Sequence, residues 1–446
     1  MDFLPHTDAD VAEMLAAVDL EELDGLFAAI PVGLILDRPL DVPAALSEVE
    51  LAAHMSELAG RSVAAAAVCF AGGGAYDHHV PAAVSALASR AEFATSYTPY
   101  QPELSQGVLQ AVFEFQSLVC EIYGLDVANA SLYDGANSLV EGVNLAVRAT
   151  RRDRVLVSKG VHPHYRQVLK TYTSGLGLRI EELDFGEDGT LDAGSFDATE
   201  AAAVVVAYPN FFGRLEEVEA IAARAHEAGA LVVCVADPSA MGILRSPGDM
   251  GADVAVGEGQ SMGNLLSYGG PYVGLFATRL DLVRQVPGRI AGETVDADGR
   301  RAFVLTLQAR EQHIRRAKAT SNVCTNQTLM AIAAAVHLSW LGPQGLARLG
   351  EICVTRTALA AARLAAIPGC EVAFEGPHFK EFVLRTPVDA RSLCRALAKR
   401  GFLAGPALGI WYPSLADSMV IAVTERRTEQ DIEAFAEAIE KELAER

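Results

Sequence analysis

Residues 231–274 read LVVCVADPSAMGILRSPGDMGADVAVGEGQSMGNLLSYGGPYVG, and the order of features in them decides the fold. The run 231–236 is short, apolar and rich in valine, the pattern of a buried strand. It ends at Asp237, a carboxylate placed where a parallel sheet meets its cleft; the plain alternative, with Pro238 and Ser239 following, is a loop Asp that caps the next turn. In open α/β sheets, ligands bind beyond the carboxyl ends of the strands. A second short strand is expected at 252–256, followed by a Gly-rich turn that closes at Gly269-Gly270-Pro271.

Such an order suggests a cradle for pyridoxal phosphate of the aspartate-aminotransferase type. There an Asp keeps the ring nitrogen protonated, and a lysine one strand later forms the Schiff base. At the expected spacing stand Gln260 and Ser261, neither of them an amine. The chain has six lysines: Lys159, Lys170, Lys318, Lys380, Lys399 and Lys441. The expectation is a cofactor-enzyme scaffold with no amine in reach to anchor the coenzyme. Lys159, Lys170 or Lys318 with its amine beside Asp237 would overturn it.

With 446 residues, 51% of them hydrophobic, the chain can bury a large core and more than one domain. Charged residues make up 21% and are spread along the chain, against disorder. A formal net charge of −21 argues against nucleic acid or an anionic membrane as partner. The seven cysteines, at 69, 120, 234, 324, 353, 370 and 394, form no CxxC pair. Reduced thiols and a cytoplasmic location are expected. The acidic start MDFLPHTDADVAEM lacks the features of a signal peptide, and no apolar run reaches the roughly 18 residues of a membrane span.

Residues 1–60 read as a helical arm. Thr7 is placed to cap a helix with Asp8 and Asp10 in its first turn, a second short helix falls near 20–29, and Ser47 caps a third at 48–58. Nothing in the arm looks chemical, so packing or subunit contact is its expected role. Residues 61–325 have an α/β rhythm, with helices at 106–123 and 136–148 and strands at 154–158, 179–183 and 203–208. This predicts a mostly parallel sheet with helices on both faces. Residues 326–446 read as a smaller α+β domain. Helices are expected at 327–341 and 345–365, separated by Gly342-Pro343, and at 390–400 and 429–443, with strands at 370–374, 381–385 and 418–422.

Four polar stretches are candidate sites. Tyr133-Asp134-Gly135-Ala136-Asn137 precedes a helix whose N–H groups suit a phosphate or carboxylate; the plain alternative is a turn capped by Asp134. His162 follows a strand and could stack on a planar ring. With His164 it makes an i, i+2 pair lacking a third ligand, so no metal site is expected. The loop 94–103, ATSYTPYQPE, offers Tyr97, Thr98, Tyr100 and Gln101 on a proline-stiffened backbone, suited to a small polar ligand, a protein partner or a rigid connection. The stretch 310–326, REQHIRRAKATSNVCTN, gathers Arg310, Arg315, Arg316 and Lys318 beside Thr320 and Asn322, and could hold a carboxylate, a phosphate or an acidic partner; the plain alternative is a solvated helix face.

Six motifs together resemble the P-protein of the glycine cleavage system, most closely subunit 1 (the α-subunit) of its two-chain bacterial form. They are TSYTPYQPE (95–103), LSQGVLQAVFEFQ (104–116), ANASLYDGAN (128–137), YPNFFGRLE (208–216), PGRIAGET (287–294) and LTLQAREQHIRRAKATSNVCTNQTL (305–329). The resemblance covers nearly the whole chain. It implies a type I pyridoxal-phosphate-dependent transferase fold with a large and a small domain. It also implies a homologous subunit 2 that carries the Schiff-base lysine and the pyridoxal phosphate, with none bound covalently by this chain. The implied reaction decarboxylates glycine and passes the aminomethyl group to the lipoyl arm of H-protein, with T- and L-proteins as functional partners. The natural assembly is a heterotetramer, a symmetric pair of heterodimers. On this basis Tyr97, Thr98, Tyr100 and Gln101 are candidates to enter the partner's site. Arg316, Lys318, Thr320 and Asn322 are further interface or cleft candidates. Asp134, Gly135, Asn137, His162 and Asp237 would be a vestigial cradle. Two alternatives stay open: an independent enzyme that binds pyridoxal or pyridoxamine phosphate non-covalently, and a scaffold that only binds H-protein.

Overall fold

Ala201–Tyr208 is apolar along its whole length and buried at every position, because it runs through the middle of a sheet covered on both faces. A computed structural model describes residues 5–95 and 97–445. The chain divides into two compact units, Met1–Ser62 and Val63–Arg446.

In the second unit the first strands are β1 (Val68–Ala71), β2 (Val127–Ala128), β3 (Arg154–Ser158), β4 (Arg179–Leu183) and β5 (Ala201–Tyr208). Then come β6 (Leu231–Ala236), β7 (Val254–Glu258), β8 (Gly274–Thr278), β9 (Ile290–Val295) and β10 (Arg301–Thr306). The last are β11 (Glu371–Val372), β12 (Glu381–Arg385), β13 (Phe402–Gly405) and β14 (Ser418–Ala422). The central sheet has the order β2-β8-β7-β6-β5-β3-β4. Strands β7, β6, β5, β3 and β4 are parallel, while β8 and β2 close one edge in antiparallel fashion. A second sheet, β11-β12-β14, is antiparallel. The helices Gln106–Tyr123 and Gly135–Thr150 cover opposite faces of the central sheet, feeding separate apolar clusters. Each fully buried valine or leucine there stabilises the fold by about 1.5–3 kcal/mol.

Several elements differ from the sequence-based expectation. The strand placed at 252–256 runs instead from Val254 to Glu258. Asp253 is taken up as an anchor: its carboxylate accepts from the Val232 N–H at 2.7 Å and pairs with His226 at 2.9 Å. The strand therefore carries Glu258 to its carboxyl end. Strand β8 and the hairpin of β9 and β10 were not expected. Strand β1 pairs in parallel with β13, so residues just after the arm lie beside the C-terminal strands. The break expected at Gly342 is present as a kink, with φ 61° and ψ −179°, inside the helix Thr328–Ala365. That helix is long and apolar enough to cross a membrane, yet Ile332, Ala334, Leu346 and Cys353 are buried in the protein.

In the arm, Thr7 and Ser47 both form capping boxes, with Asp10 and Glu50 returning the bond. The second helix shrinks to a 3₁₀ turn, Leu23–Phe27, around Gly25, a weak helix former. Many apolar side chains of this unit are exposed, among them Val32, Leu34, Leu40, Val42 and Val49.

The loop after β5 meets β12 so closely that a Cβ on Gly213 would lie 1.9 Å from the Glu381 carbonyl oxygen, at a φ of +78°. Gly213→Ala is expected to cost at least about 2 kcal/mol through overpacking and backbone strain. Chemical denaturation of the variant against the parent chain checks this.

Candidate active site

The carboxyl ends of the parallel strands carry the polar groups. Asp237 follows β6 directly. Its carboxylate accepts from the Ser239 N–H at 2.9 Å and the Ser239 hydroxyl at 2.7 Å. Its main partner is Lys380, whose Nζ lies 2.7 Å from Asp237 Oδ2, the lysine side chain being only 1% exposed. The same Nζ donates to Ser239 Oγ at 2.9 Å, lies 3.3 Å from His78 Nε2 and sits 3.5 Å above the centre of the Tyr76 ring. Burial would raise the Asp237 pKa, but the Lys380 ammonium and the Ser239 donors outweigh it and hold it below the ordinary carboxylate value.

This corrects the expectation that no amine lies in reach of Asp237. The lysines named as able to overturn it lie elsewhere. Lys159 pairs with Asp184, Lys170 with Glu182, and Lys318 is exposed. The amine comes from Lys380, immediately before β12, in the part of the chain read as the small domain. Long-range packing brings it in, and local sequence gives no distance.

Gln260, near the position expected for the anchoring lysine, is 2% exposed. Its Oε1 accepts from the Tyr76 N–H at 2.9 Å, and its Nε2 donates to the carbonyls of Tyr76 at 3.0 Å and Asn264 at 2.8 Å. It ties the Gly-rich loop after β1 to the loop after β7. That first loop is also bound to β12: the Gly73 N–H donates to Glu381 Oε1 at 2.6 Å, and the Tyr76 hydroxyl to Glu381 Oε2 at 2.9 Å.

Asp134 caps the helix Gly135–Thr150, accepting from the Asn137 N–H at 2.7 Å and from the Asn137 amide at 3.0 Å. The free N–H at that helix end does not face open space. Gly135 N donates to Glu258 Oε2 at 2.9 Å, and Glu258 Oε1 accepts from Gln260 N at 3.0 Å and Val273 N at 3.1 Å. Burial pushes the Glu258 pKa up to about 8, although these three donors pull the other way. His162 leads the helix Pro163–Thr173; its Nε2 donates to the Gly73 carbonyl at 2.6 Å while Nδ1 accepts from the His164 N–H at 3.0 Å. That pattern fixes one tautomer, and burial lowers its pKa to about 4.

His162, Asp237, Glu258, Tyr76 and Glu381 together line an inner cavity of about 70 Å³. Sites for small organic ligands are usually in the range of roughly 300–1,000 Å³. An outer recess of about 430 Å³ adjoins it, lined by Asp134, Tyr133, His164 and Tyr272. The other candidates lie apart from both. Tyr97, Thr98, Tyr100 and Gln101 line an open cleft of about 770 Å³ with Arg289, Cys324 and Thr325. Ser96 of this loop is outside the described residues. Arg289 is buried; it donates to Asn326 Oδ1 at 3.0 Å and to the Cys324 carbonyl at 2.8 Å, and lies 5.5 Å from the Tyr100 ring centre. In the basic stretch, Arg310 is structural: it is buried and donates to the carbonyls of Val286 and Gly288. Arg315, Arg316, Lys318 and Asn322 are exposed, and Thr320 is half-buried.

Sequence reasoning missed Lys380, Glu381, Tyr76 and Glu258. A signal existed at 378–382, HFKEF, where two charges interrupt an apolar strand entrance. Charged side chains in such a place must find partners when buried.

Two outcomes follow from these contacts. Lys380→Met strands the Asp237 carboxylate and is expected to cost about 3 kcal/mol in urea unfolding, as breaking a buried pair does. Glu258 and Glu381 keep their protons in the folded chain up to about 8 and about 7, against 4.5 for an ordinary glutamate. The folded state thus binds more protons over that window, and stability falls as pH rises through it. Glu258→Gln cannot titrate, so its melting temperature is expected to fall less steeply than the parent's between pH 4.5 and pH 8. Melting curves at stepped pH decide the point; parallel slopes would contradict it.

Comparison with known proteins gives one family. The model of the glycine cleavage system P-protein matches residues 1–439. A relative from Desulforamulus reducens, named probable glycine dehydrogenase (decarboxylating) subunit 1, is 51% identical over 440 residues, 98% of each chain. A crystal structure of glycine decarboxylase (P-protein) of the glycine cleavage system, in inhibitor-bound form, superposes with a TM-score of 0.91 at 46% identity, covering 99% of this chain and 100% of that one. A sphingosine-1-phosphate lyase from Burkholderia pseudomallei shares the fold alone, at 15% identity and a TM-score of 0.66 over 94% of both chains. The architecture is therefore the type I fold of pyridoxal-phosphate-dependent enzymes, and the chain belongs to the glycine cleavage system P-protein family.

Proposed function

We propose that this chain is subunit 1 of a two-chain glycine dehydrogenase (decarboxylating), working in the cytoplasm with a homologous subunit 2. The observation that carries the proposal is Gln260. At the expected place of the anchoring amine stands a buried amide, bonded on both sides to the Tyr76 backbone and the Asn264 carbonyl. Pyridoxal phosphate, where bound, supplies an electron sink for the pair released when glycine loses CO₂. Although a recess of about 430 Å³ adjoins it, the inner cavity beside Asp237 is only about 70 Å³, Asp237 is already paired with Lys380 and the Gly135 N–H with Glu258, so these residues do not fit that coenzyme. We assign the coenzyme and the bond-breaking step to subunit 2.

On this proposal, residues 1–60 are the arm, 61–325 the large domain and 326–446 the small one. The exposed apolar side chains of the arm suit burial against a second subunit. The free thiols suit a reducing compartment. The open cleft of Tyr97, Thr98, Tyr100 and Gln101 is the part of this chain suited to a neighbouring site. It has exposed hydroxyls and rings, and the buried Arg289 behind them has an Nε with no partner among the described residues. The aminomethyl group would then pass to the lipoyl arm of H-protein. Arg316, Lys318 and Asn322 form an exposed basic and polar face suited to an acidic partner, with Thr320 half-buried beside them.

The expected result is no glycine-dependent exchange of labelled CO₂ by the chain alone, and exchange on mixing with a lysine-bearing homologue. Robust exchange by the isolated chain would falsify the proposal. Tyr97→Ala with Thr98→Ala is expected to lower kcat of the mixed complex by at least about tenfold, as loss of positioning groups does. Unchanged turnover would leave only a scaffold role for this chain.

A further inference from the structure

Two side chains stand where the ends of a coenzyme would be held. Asp237 occupies the position of the ring-nitrogen partner, and the cation it holds is Lys380 Nζ at 2.7 Å. The N–H at the start of the helix Gly135–Thr150 suits a phosphate. The group it holds is the Glu258 carboxyl at 2.9 Å, which also takes the N–H groups of Gln260 and Val273.

Neither contact is incidental. Lys380 is 1% exposed, and its backbone sits at φ +40°, a conformation that costs a non-glycine residue free energy. It is held there by Glu381, whose carboxylate binds both the Gly73 N–H and the Tyr76 hydroxyl. Tyr76 covers the ammonium with its ring, and the Tyr76 backbone is in turn clamped by Gln260. The Gly135 end is equally close: a Cβ on Gly135 would lie 2.3 Å from the Tyr165 hydroxyl. Cation and carboxyl therefore fill the two recognition points of the cradle from within the chain.

We propose that Lys380 and Glu258 are internal stand-ins for the pyridinium cation and for the hydrogen-bond-accepting oxygens of the phosphate of a coenzyme, and that they keep this chain's cradle closed to pyridine phosphates. The inference deepens the assignment of the coenzyme to subunit 2 and rests on it. Closure would stop this chain from drawing coenzyme away from the partner. It also satisfies polar groups that an empty cradle would leave buried and unpaired.

The test uses the full chain and pyridoxamine 5′-phosphate, which has no aldehyde to react with surface lysines. In equilibrium dialysis the parent chain is expected to show no saturable binding. The double variant Lys380→Ala/Glu258→Ala frees Asp237 and the Gly135 N–H, and is expected to bind at least about tenfold more tightly than the parent. A folded double variant that binds no better overturns the stand-in role and leaves the subunit assignment untouched. Saturable binding by the parent chain, abolished by Asp237→Ala, overturns both. If the double variant does not fold, acetic anhydride labelling of the parent chain read by mass spectrometry decides instead. Lys380 is expected to react far more slowly than the exposed Lys399 and Lys441, with no change on adding pyridoxamine phosphate. Equal labelling of the three overturns the proposal.

Discussion

An ion pair between Asp237 and Lys380 holds the centre of this protein together. Asp237 ends a strand of the large parallel sheet, and Lys380 precedes a strand of the small antiparallel one. A carboxylate in that position, without a cation, would carry a large desolvation cost. Lys380 supplies the cation, Ser239 the hydroxyl, and Tyr76 the aromatic cover. The neighbouring Glu381 then fastens the Gly-rich loop that carries Tyr76. One contact thus couples three segments that are distant along the chain.

On the proposed function, the geometry around that pair is a coenzyme cradle in which Asp237 and the Gly135 N–H each have a partner from the same chain. His162 lies near the inner cavity with one nitrogen bound to Gly73 and the other to the next turn, so its ring is fixed before any ligand arrives. The helix start at Gly135 meets Glu258. In that site Glu258 and Glu381 hold their protons well above the usual range because burial outweighs the donors around them, whereas Lys380 and Ser239 hold Asp237 below it. The open cleft at Tyr97 and Arg289 is the opposite: wide, hydroxyl-rich and accessible. On the function proposed here, the closed site is structural and the open one faces the chemistry of a partner.

Local sequence was informative wherever one element or one cap sufficed. Thr7 and Ser47 were legible as caps because each is a short hydroxyl residue at the start of a helical run, and the structure adds the returned bond from Asp10 and Glu50. The helix Gln106–Tyr123 and the strands Arg154–Ser158 and Arg179–Leu183 followed from periodicity. Gly342 was visible as a break. Where a residue answers to a distant partner, the same reasoning failed. Asp253 displaced the start of its strand because it bonds back to Val232. Arg310, grouped by composition with a basic patch, is buried under the 286–288 loop. Strand β1 could not be assigned its neighbour, since its parallel partner β13 comes more than three hundred residues later.

By itself the sequence determined the α/β class, the placement of Asp237 at a strand end, and the presence of an amide where an anchoring amine was expected. These depend on order and spacing, which a chain carries in one dimension. Only the tertiary structure decided what Asp237 binds, because Lys380 reaches it where the segment before β12 packs against the loop after β5. Burial and charge pairing are properties of that packing, and no local pattern encodes the distance between two residues that meet only when the fold is complete.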